Sequence, residues 1–129
     1  MSRMSTSGKD ITFNNEIEEA LYEVHLKNIE SLESAIKRIK DGIFETQTEI
    51  EMLTAYKNQL RKSIKNAKNS NSAIAINEYR QIKKELKTID ALKQVKETSL
   101  GSLKTLLNEN ESHLKGCFEK LEKLKKAIN

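Results

Sequence analysis

Apolar residues recur along this chain at alternating intervals of three and four residues, and this spacing constrains the fold more than any other feature. In the first half it runs without a slip from Ile29 to Ala67, and in the second half from Tyr79 to Ile128. A seam that repeats about every 3.5 residues stays against a partner helix only if the helices supercoil, whereas a strand alternates with a period of two. The spacing therefore predicts an all-α coiled coil.

Composition supports a coiled coil. The chain has 33% charged residues, 5% aromatic residues and no proline, which is typical of long helices when the apolar pattern is periodic. The residues expected to pack helix against helix are Ile36, Ile39, Ile43, Ile50, Leu53, Leu60, Leu86, Ile89, Leu100, Leu103, Leu107, Leu114, Leu121 and Leu124.

The seam stops at residues 69–72, with the sequence NSNS, which are poor helix-interior residues and good turn formers. Helical arms are expected over residues 11–68 and 73–129, after a flexible polar tail over residues 1–10. A short connection between arms of nearly equal length favours an antiparallel hairpin, with residues 69–72 as its tip. The alternative is a linker between two domains.

Two registers keep the apolar seams of the two arms together. The preferred one sets Leu53 against Leu86 and Ile50 against Ile89, as well as Ile39 against Leu100, and the other displaces the arms by one heptad. Upstream of Ile29 the apolar residues change phase, because Ile17, Leu21 and Val24 leave the seam and His25 takes its extrapolated position. This change predicts a stutter or a local change of partner.

Two glycines and three lysines interrupt the pattern. Gly42 and Gly101 lie inside the arms, where we expect soft points in continuous helices, the alternative being a bundle of four shorter helices folded again at these glycines. Lys57, Lys93 and Lys96 occupy seam positions. Their stems can pack while their ammonium groups reach water, or the seam shifts beside the last two.

Apolar residues beside the seam outnumber what two packed helices bury. A stripe this wide usually contacts more than one helix, so the hairpin is expected to pack with further helices in a homo-oligomer or a complex with a protein partner. Scattered exposed apolar residues are the alternative. The residues concerned are Leu21, Leu26, Phe44, Tyr56, Ile76, Leu92, Val95, Leu106 and Phe118.

Charge is segregated along the chain. Residues 10–51 hold eleven acidic and four basic residues, whereas residues 52–87 hold nine basic and two acidic residues. A basic hairpin tip is predicted to attract phosphates or an acidic protein surface. Nucleic acid is the less favoured partner, because no stacking aromatics interleave the bases; a solvated helical face is the alternative. The predicted partner-binding residues are Lys57, Arg61, Lys62, Lys65, Lys68, Arg80, Lys83, Lys84 and Lys87.

The sequence lacks the motifs of enzymes and of cofactor or metal sites. It has no phosphate loop, no dinucleotide fingerprint and no zinc-ligand spacing, so no catalytic, cofactor-binding or metal-binding residue is predicted. No apolar run is long enough to span a membrane and no secretory signal is visible. With Cys117 as the only cysteine, we expect the cytoplasm or the inside of an assembled particle. We expect a non-catalytic coiled-coil subunit that scaffolds or bridges partners. One alternative is a nucleic-acid-binding accessory protein.

Three stretches resemble one family. The stretch IEMLTAYKNQL (50–60), the stretch LKTID (86–90) and the closing FEKLEKLKK (118–126) are similar to segments of the central stalk proteins of flagellar and type III secretion export ATPases. The resemblance spans roughly residues 45–128 and rests on heptad-like motifs of low specificity, while the polar N-terminal segment and the acidic first arm depart from it. It implies an antiparallel hairpin whose free ends enter an ATPase ring and whose tip faces an export gate.

Overall fold

A computed structural model describes two strands and two long helices. It covers residues 2–6, 9–13, 16–68 and 73–128, with side chains described over residues 16–68 and 76–127. Strand β1 spans Ser2–Thr6 and strand β2 spans Lys9–Phe13, followed by helix α1 (Glu16–Lys68) and helix α2 (Ala73–Ile128). The two helices pack against each other, which confirms the predicted all-α helical hairpin for the helical part of the chain. The predicted tip at residues 69–72 lies outside the described residues.

The N-terminal segment differs from the prediction of a flexible tail over residues 1–10. Strands β1 and β2 pair antiparallel, with Met4 opposite Ile11. The physical reason is that Ile11, Thr12 and Phe13 are β-branched or aromatic and favour strands over helix. For the same reason the first helical arm begins at Glu16 rather than at residue 11.

The chain divides into two compact units. Unit 1 comprises Met1–Lys40 and Leu106–Asn129, and unit 2 comprises Asp41–Thr105. The division crosses both helices, yet α1 continues without a break through Gly42 and α2 through Gly101. The four-helix alternative is therefore wrong, because a glycine weakens a helix by only about 1 kcal/mol and tertiary packing overrides it.

The core of unit 1 includes residues of the predicted seam and extends to Tyr22, upstream of it. Tyr22, Ile29, Cys117 and Leu121 are buried together, and Tyr22 is only 1% exposed. Half-buried residues complete this core: Leu26, Leu32, Leu114 and Leu124. Cys117 thus packs as a small apolar side chain.

The predicted stutter upstream of Ile29 is wrong. Tyr22 lies one heptad before Ile29 and is buried, and His25 is half-buried on the same seam. Ile17, by contrast, is 72% exposed. An aromatic ring therefore carries the seam onward, and the shifted apolar stripe is left on the surface.

The seam of unit 2 has the register that was not preferred. Leu103 side-chain carbons lie 3.7 and 3.9 Å from the position of a Cβ placed on Gly42. Lys57 forms an ion pair with Asp90. These contacts displace the arms by one heptad relative to the pairing of Leu53 with Leu86. Both registers bury matching apolar stripes, so the apolar pattern alone does not separate them.

The seam lysines remain on the seam. Lys93 and Lys96 are half-buried, and the Lys96 ammonium forms an ion pair with Glu49. Leu92 and Val95 are 44% and 60% exposed, so the seam does not shift to them. Both lysine stems pack on the seam, and the charged end of Lys96 reaches the Glu49 carboxylate.

The residues predicted to pack helix against helix are all buried or half-buried. The most buried of them are Ile36 and Leu121 in unit 1 and Leu60 and Ile89 in unit 2.

Candidate partner-binding surface

Two polar contacts define the two sides of the seam in unit 2. On one side, Asp90 follows Ile89 and pairs with Lys57. On the other side, the Tyr56 hydroxyl, which precedes Lys57, donates a hydrogen bond to Glu85 over 3.1 Å. In an antiparallel helix pair the residues that follow equivalent seam positions share one side, and the residues that precede them share the other.

Six basic residues line the side that carries Asp90, and we call this surface the basic edge. All six are exposed. They lie at the two heptad positions next to the seam on that side, and each helix contributes three of them. The basic edge consists of Arg61, Lys65, Lys68, Arg80, Lys83 and Lys87.

The other three predicted partner-binding residues lie elsewhere. Lys57 is on the seam, where its side chain is 19% exposed and bound to Asp90. Lys62 and Lys84 occupy the heptad position farthest from the seam, so they face away from the basic edge. The structure thus brings together six of the nine predicted residues.

The few acidic groups near the basic edge are already engaged. A hydrogen bond from Lys57 lowers the pKa of Asp90, burial opposes this, and the positive charges of Lys57, Arg61 and Lys93 lower it further. On the opposite side, the hydrogen bond to Glu85 and its negative charge raise the pKa of Tyr56. Glu85 therefore does not offset the positive charge of the basic edge from close range.

Contacts near the end of α1 and the start of α2 shape the basic edge. The Lys83 ammonium lies 5.0 Å from the centre of the Tyr79 ring, a cation–π distance. Beside it, Lys68, Ala67, Ile76 and Tyr79 line a small depression of about 170 Å³. Ile76 is 49% exposed there and gives this end of the basic edge an apolar contact point.

The opposite side of unit 2 carries exposed apolar residues, and we call it the apolar edge. It consists of Met52 and Tyr56 on α1 and of Leu92 and Val95 on α2. Their side chains are between 44% and 67% exposed. Met52 is not among the apolar residues predicted beside the seam, although its position four residues before Tyr56 places both on one face of α1.

Exposed apolar residues also lie away from these two edges. On α1 of unit 1, Ile17, Leu21 and Val24 form a stripe at intervals of four and three residues, and each is at least 46% exposed. Phe44, in unit 2, is 71% exposed. Leu106 and Phe118, in unit 1, are each 44% exposed.

One groove and the placement of possible metal ligands bear on a small-molecule or metal site within the described part of the chain. A groove of about 600 Å³ in unit 1 is lined by described residues of α2 alone, among them Leu114 and Phe118. Among the residues that the structure describes, no group of three or more His, Cys, Asp or Glu side chains is placed to hold a metal ion. Neither described helix has an apolar stretch long enough to cross a membrane.

Comparison of the chain with known protein families, with curated proteins and with solved structures finds no match. The resemblance to export-ATPase stalk proteins therefore stays a prediction from sequence. The geometry of unit 2 carries the functional argument: a helix pair with a basic edge on one side of its seam and an apolar edge on the other.

Proposed function

We propose that this chain is a non-catalytic coiled-coil subunit that bridges partners in a larger assembly. The observation that supports this most is the contrast between the two edges of unit 2. One is exposed and positively charged, and the other is exposed and apolar. A helix pair with different chemistry on its two sides can bind two different surfaces at once.

The apolar edge is suited to a helical protein partner. Tyr56 offers a large amphipathic side chain, and Met52 adapts to irregular surfaces. Leu92 and Val95 lie on the adjacent face of α2. A partner helix that lies along this edge would cover apolar surface from both helices, which is how helical bundles grow beyond two helices.

The experiment is quantitative co-purification from the native source with three forms of the full chain. The wild type is compared with Leu92→Gln/Val95→Gln on the apolar edge. The matched control is Gln94→Ala/Thr98→Ala, which changes neighbouring exposed positions of α2. We expect at least one protein partner to be lost with the apolar-edge variant and kept with the control.

Retention of every partner by the apolar-edge variant would contradict the proposal. Turnover of a substrate by the purified chain would contradict its non-catalytic part. Circular dichroism of all three forms separates loss of a partner from loss of the fold.

Two narrower forms of the proposal each have a test of their own. Co-purification of a ring-shaped ATPase would support the export-stalk resemblance. A nucleic-acid role is the second candidate, and the exposed basic edge favours it. It requires salt-dependent binding to DNA that Arg61→Glu, Lys65→Glu and Lys68→Glu on the basic edge abolish.

A further inference from the structure

Helix α1 carries opposite charges at the same heptad positions in the two units. In unit 2, Arg61, Lys65 and Lys68 belong to the basic edge. In unit 1, Glu16 and Glu23 lie a whole number of heptads before Lys65, and Glu19 lies a whole number of heptads before Arg61 and Lys68. The three glutamates, which we call the glutamate row, thus flank the seam of unit 1 as the bases flank the seam of unit 2.

The spacing of the two sets matches when they run in opposite directions. The bases follow one another at intervals of four and three residues, and the glutamates at intervals of three and four. Reversing one helix makes the intervals identical. The resulting partners are Arg61 with Glu23, Lys65 with Glu19, and Lys68 with Glu16.

Both sets are accessible to a second molecule. The bases are exposed, as are Glu16 and Glu23, while Glu19 is half-buried. Within the part of the chain that the structure describes, neither the three bases nor the three glutamates take part in an ion pair.

We propose that the occupant of the basic edge is the glutamate row of a second copy of this chain. Helix α1 of one copy runs antiparallel to α1 of the other, and twofold symmetry makes the contact twice, which closes the assembly as a homodimer. Arg80, Lys83 and Lys87 of α2 add positive potential beside the contact. This inference deepens the proposed function, and it rests on that function only in treating the basic edge as a protein-docking surface.

The contact is electrostatic, so ionic strength should control it. Screening acts over about 10 Å at 0.1 M salt and about 3 Å at 1 M. We expect a dimer by sedimentation equilibrium in low salt, and an association constant at least about tenfold weaker in 0.5 M salt. A monomer in low salt, or assemblies larger than dimers, would overturn the proposal.

A charge swap provides the specific test. Lys65→Glu/Lys68→Glu makes the bases acidic, and Glu16→Lys/Glu19→Lys makes the glutamates basic, so each variant alone repels its own copies. Mixed together, the two variants restore both contacts of the heterodimer. We expect each variant alone to associate at least about tenfold more weakly than wild type, and the mixture to recover to within about threefold of it.

The matched control is Lys62→Glu/Lys84→Glu, which reverses the same number of charges in unit 2 at positions that face away from the basic edge. We expect this control to dimerise as the wild type does. Equal weakening of the control, or no recovery in the mixture of two variants with wild-type helicity, would overturn the proposal. These outcomes are independent of partner loss through Leu92 and Val95, so failure of the dimer is distinguishable from failure of the proposed function.

Discussion

Leu60→Ala and Leu92→Ala make the same chemical change at two positions of unit 2 that differ in burial. Leu60 is 8% exposed on the seam, whereas Leu92 is 44% exposed on the apolar edge. Each change removes three carbons, and a buried CH₂ contributes about 0.8 kcal/mol. Scaled by the buried fraction, the loss in the free energy of unfolding is about 2 kcal/mol at Leu60 and about 1 kcal/mol at Leu92.

A second effect widens the difference. The cavity left at Leu60 is enclosed by its seam neighbours, which adds to the cost and brings it to about 2–3 kcal/mol. Alanine also has the higher helix propensity at both positions, and this gain offsets a larger share of the smaller loss at Leu92. We therefore expect Leu60→Ala to destabilise the chain by at least about twice as much as Leu92→Ala.

The assay is urea unfolding followed by far-ultraviolet circular dichroism. High salt and a fixed protein concentration keep self-association out of the comparison. An unchanged dependence of the free energy on urea concentration shows that both variants unfold from the same kind of native state. Equal losses, or a larger loss at Leu92, would refute the reasoning, because the seam would then pass through Leu92 and Val95.

Three further predictions use the same unfolding assay. Gly42→Ala raises the free energy of unfolding by about 0.5–1 kcal/mol, because the added methyl meets Leu103 at ordinary contact distance and alanine favours the helix; a loss of stability would instead indicate a break in α1 at this glycine. His25→Leu stabilises by about 1–2 kcal/mol, because the Nδ1 atom of His25 is buried without a hydrogen-bond partner in the described structure; destabilisation would show that the imidazole is satisfied. Asp90→Asn removes the contribution that the Lys57–Asp90 ion pair makes to the free energy of unfolding. This contribution is fully present above the ordinary aspartate pKa of 3.8 and is lost as the pH falls through the lower pKa of the folded state, so the difference in the free energy of unfolding between variant and wild type narrows in acid. A difference that is constant with pH would contradict the ion pair.

The helical arms follow from the sequence because the seam is long and regular. Twelve consecutive seam positions from Ile29 to Ala67 are all buried or half-buried. A spacing kept over so many turns leaves one helix face to bury, and the structure buries that face. The continuity of α1 through Gly42 follows from the same fact, since the seam resumes at Ile43.

The register does not follow from the sequence. A displacement of one heptad again places apolar seam residues opposite apolar seam residues, so both pairings bury similar surface. The structure separates them through contacts specific to each pair, such as Lys57 with Asp90 and Lys96 with Glu49. Such ion pairs are worth little individually at a surface, which makes them weak guides in advance.

The N-terminal strands and the extent of the apolar edge were harder to predict for different reasons. Residues 9–13 have only one apolar pair, Ile11 and Phe13, and a two-stranded hairpin is marginal on its own. Leu92 and Val95 compete with Lys93 and Lys96 for the seam, and hydrophobicity favours the former pair. Both lysine stems nevertheless keep the seam, and Lys96 forms an ion pair with Glu49, which leaves the apolar edge exposed.

The basic edge shows what sequence can contribute to a candidate site. Charge counting selects the basic region of unit 2, and the heptad then sorts its residues by face. Arg61 and Lys65 lie beside the seam, whereas Lys62 between them faces away. The sorting depends on knowing the seam phase and the antiparallel pairing, both of which the structure supplies.

Intramolecular cross-linking tests the central claim, the antiparallel seam of unit 2 and its register, most directly. Cysteines at positions 42 and 103, in a Cys117→Ala background at high salt, are predicted to cross-link readily within a single chain through oxidation or a short thiol-reactive linker. Cysteines at positions 50 and 89, which the register that pairs Leu53 with Leu86 would bring together, are predicted to cross-link poorly. Efficient linkage of 50 with 89, or linkage of 42 with 103 only between separate chains, would contradict the account.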